Sequence, residues 1–253
     1  MTKPIILLMI LLFFATALFT KEVVVFTGEY KPLVSDTVVG KGFISEIIRE
    51  IFSRMPGYEV RIEFSSWKRN QALVASGNAW GTFPYSRTEE RMKDFLFSNI
   101  IFQSDMVFFS YKDDSTITYE QLSDLKDYSI GGVLGYFYKK AFEEAGLNVS
   151  YTSDEESAFK NLVAGRVDLV PMMDIIGWTI IKEKFPEIQR DFNTVQRPFN
   201  VTTSSMMVSK TYPESEKILE AFNAALDSMK EDGTYQTFMD EIDKRYLNFQ
   251  PGN

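Results

Sequence analysis

The 253-residue chain contains neither cysteine nor histidine. Without cysteine there is no disulfide framework, zinc finger, Fe–S cluster or thiol nucleophile. Without histidine there is no Ser-His-Asp triad, no zincin motif and no imidazole base working near neutral pH. Positive charge is also scarce: 27 Lys and Arg against 35 Asp and Glu leave a net charge of −8. That balance argues against nucleic-acid binding, which needs a basic footprint on the phosphate backbone. No low-complexity stretch, collagen period or heptad run is present. Catalysis would fall to carboxylates, Lys, Ser, Thr or Tyr, so the composition favours binding over chemistry. What is there, 45% hydrophobic and 25% charged residues, is the mix of a globular protein. The length accommodates one large domain or two modest lobes.

The first 20 residues read as an address. Lys3 precedes an apolar run from Ile5 to Phe14, and Ala15-Thr16-Ala17 follows as a small-x-small cleavage site. The run is short and lacks a stop-transfer flank, so it reads as a cleaved secretory signal rather than a membrane span. No Cys follows it, which excludes anchoring through a lipidated N-terminal Cys. The mature chain is expected to be exported, and the lack of Cys fits a protein that folds where stray thiols would be oxidised.

The remainder alternates strand and helix patterns. Val23-Val24-Val25-Phe26 is a short apolar run ending at Thr27-Gly28, a buried strand leading into a loop. Phe43-Ile44, Ile47-Ile48, Ile51-Phe52 and Met55 recur at helical spacing until Pro56-Gly57. Tyr58, Val60, Ile62 and Phe64 alternate with charged residues as a half-buried strand, and a helix from Trp67 to Ser76 stops at Gly77. This order implies a mainly parallel sheet flanked by helices. It recurs: Ser129–Val133 reads as a strand, Tyr136–Ala145 and Ser157–Ala164 as helices. Leu73-Val74-Ala75-Ser76-Gly77 is echoed by Leu162-Val163-Ala164-Gly165, each with a short strand after it. Met106–Phe109 and Ser205–Val208 read as two crossings between lobes, and helices at Glu214–Lys230 and Thr234–Tyr246 close the chain. The expected division is 1–20 signal, 21–108 with 206–253 as one lobe, and 109–205 as the other.

In open parallel sheets ligands collect beyond the carboxyl ends of the strands, beside helix N-termini. Four loops qualify: Gly28-Glu29-Tyr30, Tyr85-Ser86 through Arg91, Gly135-Tyr136-Phe137 and Met173-Asp174. Ser86-x-x-Glu89 can form a capping box, with Arg91 one turn into the helix. Backbone N–H groups, the Ser86 hydroxyl and a forked guanidinium could then meet one carboxylate. A plain surface helix start accounts for the same residues. Asp174 can cap its own helix or present an oxygen to an ammonium group. Tyr30, Trp67, Tyr136 and Trp178 are cleft aromatics or packed core.

Thr27-Gly28-Glu29-Tyr30-x-Pro32, Gly42-Phe43, Trp67-x-Arg69, Glu90-Arg91 before Phe97-Ser98, and Gly165-Arg166-Val167-Asp168 occur in that order. The series resembles the bacterial extracellular solute-binding proteins of family 3, the binding components of polar amino-acid ABC transporters. The resemblance implies an α/β periplasmic-binding-protein fold, two lobes joined by two crossing strands and closing around a small solute. It implies that Arg91 binds the ligand carboxylate with help from Ser86. The amino group would go to Asp174, or to the position of Met173 one residue earlier. Tyr30 would stack on the ligand, with Trp67 on the same side. Two departures stand out. The usual Gly-Thr-Thr anion loop reads Gly135-Tyr136-Phe137, and Pro84 replaces a small residue, so a flatter or more aromatic ligand is expected. No cofactor or metal is implied. The expected partners are the small molecule and a membrane permease, with the receptor itself a monomer. A dehydratase on the same fold and a ligand-sensing partner of a membrane receptor are the alternatives.

Overall fold

The computed structural model describes residues 20–112, 117–195 and 197–247; the expected secretory signal lies outside them. The first half-unit opens with β1 (Lys21–Thr27), α1 (Phe43–Ser53), β2 (Tyr58–Phe64), α2 (Trp67–Ala75) and β3 (Gly81–Tyr85). Strand β1 runs parallel to both β2 and β3. Helix α1 forms because its apolar residues return every three or four positions. Phe43, Ile44, Ile47, Ile48, Ile51 and Phe52 are all buried along that stripe. Each contributes about 1.5–3 kcal/mol relative to an exposed side chain. A short α3 (Glu89–Asp94) and β4 (Phe95–Phe97) then lead to the long β5 (Phe102–Tyr111).

The second half-unit contains β6 (Ser129–Val133), α4 (Lys139–Glu144), β7 (Asn148–Thr152), α5 (Glu155–Val163), β8 (Val170–Met173), α6 (Asp174–Lys184) and β9 (Phe192–Thr194). Strands β6 and β7 pair in parallel, and an Ile130–Leu169 bridge ties them to the approach to β8. Chain return is through β10 (Asn200–Ser209), followed by α7 (Ser215–Glu231), α8 (Thr234–Ile242) and a π-helical turn, Asp243–Leu247.

Two strands belong to both half-sheets. Residues Asn200–Ser204 of β10 pair antiparallel with Met106–Phe102 of β5, while its later residues pair with β3 and β4. The far end of β5 pairs with β8 and β9. This is the two-lobed α/β architecture with two crossing strands that the sequence implied. The echoed helix endings are also one structure used twice. Gly77 and Gly165 adopt φ of +72° and +65°. The following N–H groups, of Asn78 and Arg166, reach back to the carbonyls of Leu73 and Asn161, both at 2.9 Å. This left-handed ending satisfies helix-end carbonyls and is cheapest for glycine.

One helix is shorter than its pattern. The expected Tyr136–Ala145 segment is helical only from Lys139 to Glu144. Tyr138 is buried, and its hydroxyl accepts the Val133 N–H at 2.9 Å. That bond folds residues 134–138 into a turn with Gly135 at φ +85°, which brings Tyr136 and Phe137 to the sheet's carboxyl end.

Candidate ligand-binding cleft

A cavity of about 540 Å³ lies between the lobes, and Tyr30, Trp67, Tyr85, Ser86, Arg91, Tyr136 and Phe137 all line it. The first wall starts at the end of β1. Tyr30 is held in a tight loop by reciprocal backbone bonds with Val34, at 2.9 and 3.0 Å. Gly28 allows Trp67 to approach, since a Cβ there would lie 2.5 Å from the indole. The Trp67 ring meets Tyr85 edge-on, centroids 5.8 Å apart.

Arg91 enters the cleft by a different cap from the expected one. Helix α3 begins at Glu89 with Thr88 as N-cap, its hydroxyl accepting the Arg91 N–H at 3.3 Å. The Ser86–Glu89 box does not form, which leaves Ser86 in the cleft lining. The Arg91 guanidinium donates to the Ser86 carbonyl at 2.9 Å and lies 5.0 Å from the Tyr85 ring centre. Burial raises the Tyr85 pKa, and the Arg91 charge partly offsets it. Arg87, four residues earlier in the extended segment before the helix, is occupied elsewhere. It donates to the carbonyls of Phe97 and Ser98 at 3.4 and 3.1 Å.

The second wall carries Tyr136, Phe137 and Glu155. Glu155 opens α5, after Asp154 caps that helix by accepting the Ser157 N–H at 2.8 Å. The Tyr136 hydroxyl donates to Glu155 at 2.7 Å and lies 3.4 Å from the Tyr30 hydroxyl. Because the carboxylate only accepts, Tyr136 spends its proton there, and Tyr30 must donate to Tyr136. Burial, the neighbouring Tyr30 and the Glu155 charge all push the Tyr136 pKa upward. Burial likewise raises Tyr30, so both phenols keep their protons at neutral pH. This chain of hydroxyls crosses from one lobe to the other. The floor includes Met106 of β5 and Thr202 and Ser204 of β10. The Thr202 hydroxyl is sealed from solvent with no hydrogen-bond partner among the described residues, a vacancy that buried polar groups seldom keep.

A family model for the bacterial extracellular solute-binding proteins, family 3, matches residues 23–248. The chain belongs to this family. A curated relative is ABC transporter arginine-binding protein 1 of Escherichia coli (strain K12), 28% identical over 160 residues. That match covers 61% of each protein, so the chain spans about three fifths of the relative's length. An ancestral arginine-binding protein solved with arginine superposes with a TM-score of 0.63 at 26% identity, covering 89% of this chain and 97% of that one. An amino acid ABC transporter substrate-binding protein from Streptococcus pneumoniae, bound to L-arginine, shares the fold at TM-score 0.65 and 20% identity, over 88% and 94% of the two chains. A histidine kinase sensor domain shares it at 0.66 and 19%, over 88% and 96%.

For a member of this family, the position of Asp174 is a correction to the sequence reading. Met173, the last residue of β8, lines the cleft. Asp174 is the first residue of α6 and lines a separate cavity of about 220 Å³ with Asp105 and Asp243. Its carboxylate accepts the Ser104 hydroxyl at 2.6 Å and the Ile175 N–H at 2.5 Å. Neighbouring residues where a strand ends point to opposite sides, so a one-residue step decides which cavity receives the charge. Trp178 is core, 2% exposed and edge-on to Phe109. The sequence pattern does not point to Glu155, because β7, with polar Asn148 and Ser150, does not read as a strand. Among the described residues no group of acidic side chains is arranged to hold a metal ion, and no helix is long and apolar enough to cross a membrane.

Proposed function

We propose that this chain is an exported solute receptor. It captures a small carboxylate-bearing, amino-acid-like molecule between its lobes and delivers it to the permease of an ABC transporter. The observation that carries this reading is Arg91. Its guanidinium is oriented by the Ser86 carbonyl and the Tyr85 ring, lines the cleft, and has no acidic partner among the described residues. A planar fork held in this way suits a carboxylate, with the Ser86 hydroxyl beside it. Tyr30 and Trp67 supply one aromatic wall, Tyr136 and Phe137 the other. A ligand touching both walls favours the closed arrangement and shifts the population toward it. The names of the relatives, an ABC transporter arginine-binding protein and an ancestral arginine-binding protein, support the amino-acid and transport parts of the reading.

A thermal-shift screen of amino acids and small carboxylates tests it. A ligand at 100 times its Kd adds about 2.7 kcal/mol of stability, and X-ray scattering should show a smaller radius of gyration on binding. The ligand should be recovered unchanged after incubation, as binding without turnover requires. Scattering curves that coincide with and without a saturating ligand would contradict closure.

A further inference from the structure

The cleft lining holds two full charges, Arg91 on one wall and Glu155 on the other. Neither meets an opposite charge within ion-pair distance among the described residues. The contrast with the next residue is direct: Glu156 is bridged by Lys160 at 2.7 Å and Lys184 at 3.0 Å, while Glu155 accepts the Tyr136 hydroxyl and meets no cation among the described residues. We infer that Glu155 is the cleft's receptor for a cationic group, and that the solute is a zwitterion of no net charge. The inference rests on the receptor reading above.

Several observations converge on it. Glu155 lies in the first turn of α5, at the cleft end of that helix. A carboxylate offers about four acceptor sites, and Tyr136 uses one of them, so capacity remains for an ammonium. Tyr30, Tyr136 and Phe137 line the same cavity, and aromatic rings attract cations. Among the described residues no other acid lines the cleft. Met173 brings a thioether, and the Asp174 carboxylate is turned to Ser104 and Ile175. One positive and one negative side chain can each be matched once. A second cation on the ligand, as in arginine, or a second anion, as in glutamate, would be enclosed without a partner, and unpaired enclosed charge is strongly disfavoured. The buried Thr202 hydroxyl adds no charge to the cleft. The selectivity expected here therefore differs from that named in the arginine-binding relatives.

Isothermal titration of the mature chain with L-glutamine, L-methionine, L-phenylalanine, L-arginine and L-glutamate tests the inference. A neutral member should bind tightest, by about tenfold or more over arginine and glutamate, the loss expected from at least 1.4 kcal/mol. Glu155→Gln keeps an acceptor for Tyr136 and should fold normally, yet weaken the best neutral ligand by about 30-fold or more. Glu155→Asp, which keeps the charge on a shorter stem, should recover part of that loss. If arginine or glutamate binds tightest, or if Glu155→Gln is neutral while Arg91→Ala still disables binding, the inference fails and the receptor reading stands. If Arg91→Ala binds as tightly as wild type, the receptor reading fails and takes the inference with it.

Discussion

Two cavities border the crossing strand β5, and they treat charge in opposite ways. The larger sets Arg91 against Glu155 across the gap between lobes, each without an ionic partner among the described residues. The smaller gathers three like charges, Asp105, Asp174 and Asp243, beside the end of α8. There the Asp174 carboxylate already has two donors, and burial raises its pKa, with Asp105 and Asp243 adding to the shift. The first pair of charges faces the open cleft, while in the second cavity the Asp174 carboxylate is already held by two donors of the fold. Charge near the strands that join the lobes is thus not by itself a sign of binding. The donors that already engage the Asp174 carboxylate separate it from Glu155 in the cleft.

The largest effect should come from Arg91→Ala. Truncating one partner of a desolvated charge pair costs about 2–5 kcal/mol, so binding by calorimetry should become unmeasurable or nearly so, with Tm within a few degrees of wild type. Arg87→Ala is the control. It loses two hydrogen bonds to carbonyls and should lower stability by about 1–3 kcal/mol while leaving Kd unchanged. If Arg87→Ala damages binding more than Arg91→Ala, the distinction between cleft and surrounding surface collapses.

Gly28→Ala sharpens the same contrast from the aromatic side. The new methyl would meet the Trp67 indole at 2.5 Å, and overpacking of this kind costs about 1–3 kcal/mol. Trp67 must shift, so ligand-induced tryptophan emission should change and affinity should fall, whereas a rigid, ligand-independent Trp67 would leave both intact. Tyr30→Phe is gentler. It removes the hydroxyl contact between lobes, worth about 0.5–1.5 kcal/mol. The ligand-free protein should then scatter as a more open particle, with Kd changing less than tenfold.

Asp174→Asn should have the smallest effect on binding, which is none, and its effect on stability has a definite sign. Its folded pKa lies above the ordinary value of 3.8, so the native state holds this proton more tightly than the unfolded chain. The group's contribution is therefore complete below about pH 3.8 and is lost as pH rises through the raised value. Asparagine retains an acceptor for Ser104 and Ile175 without the charge. Its Tm should exceed wild type at pH 7, with the gap closing as pH falls toward 3; a lower Tm at pH 7 would show that the charge is stabilising.

The sequence carried the architecture further than the site. The α1 stripe, the β1 run and the glycine-ended helices are local patterns with one solution each, and they implied two similar half-units. Arg91, Ser86 and the five cleft aromatics Tyr30, Trp67, Tyr85, Tyr136 and Phe137 could be placed because they end or follow strands that read as strands. What was not legible depended on single-residue register or on a weak edge. Met173 and Asp174 exchange cavities by one step of the chain. Glu155 follows a strand too polar to recognise. Tyr136 and Phe137 leave the expected helix because Tyr138, a residue with no distinguishing pattern, bonds to Val133.

The central claim is that the cleft charge binds the ligand and the second cavity's charge does not. The most direct measurement is a paired calorimetric titration of Arg91→Ala and Asp174→Asn against the tightest solute of the screen. The account predicts lost binding in the first and a wild-type Kd in the second. Retained binding in Arg91→Ala together with lost binding in Asp174→Asn would contradict it.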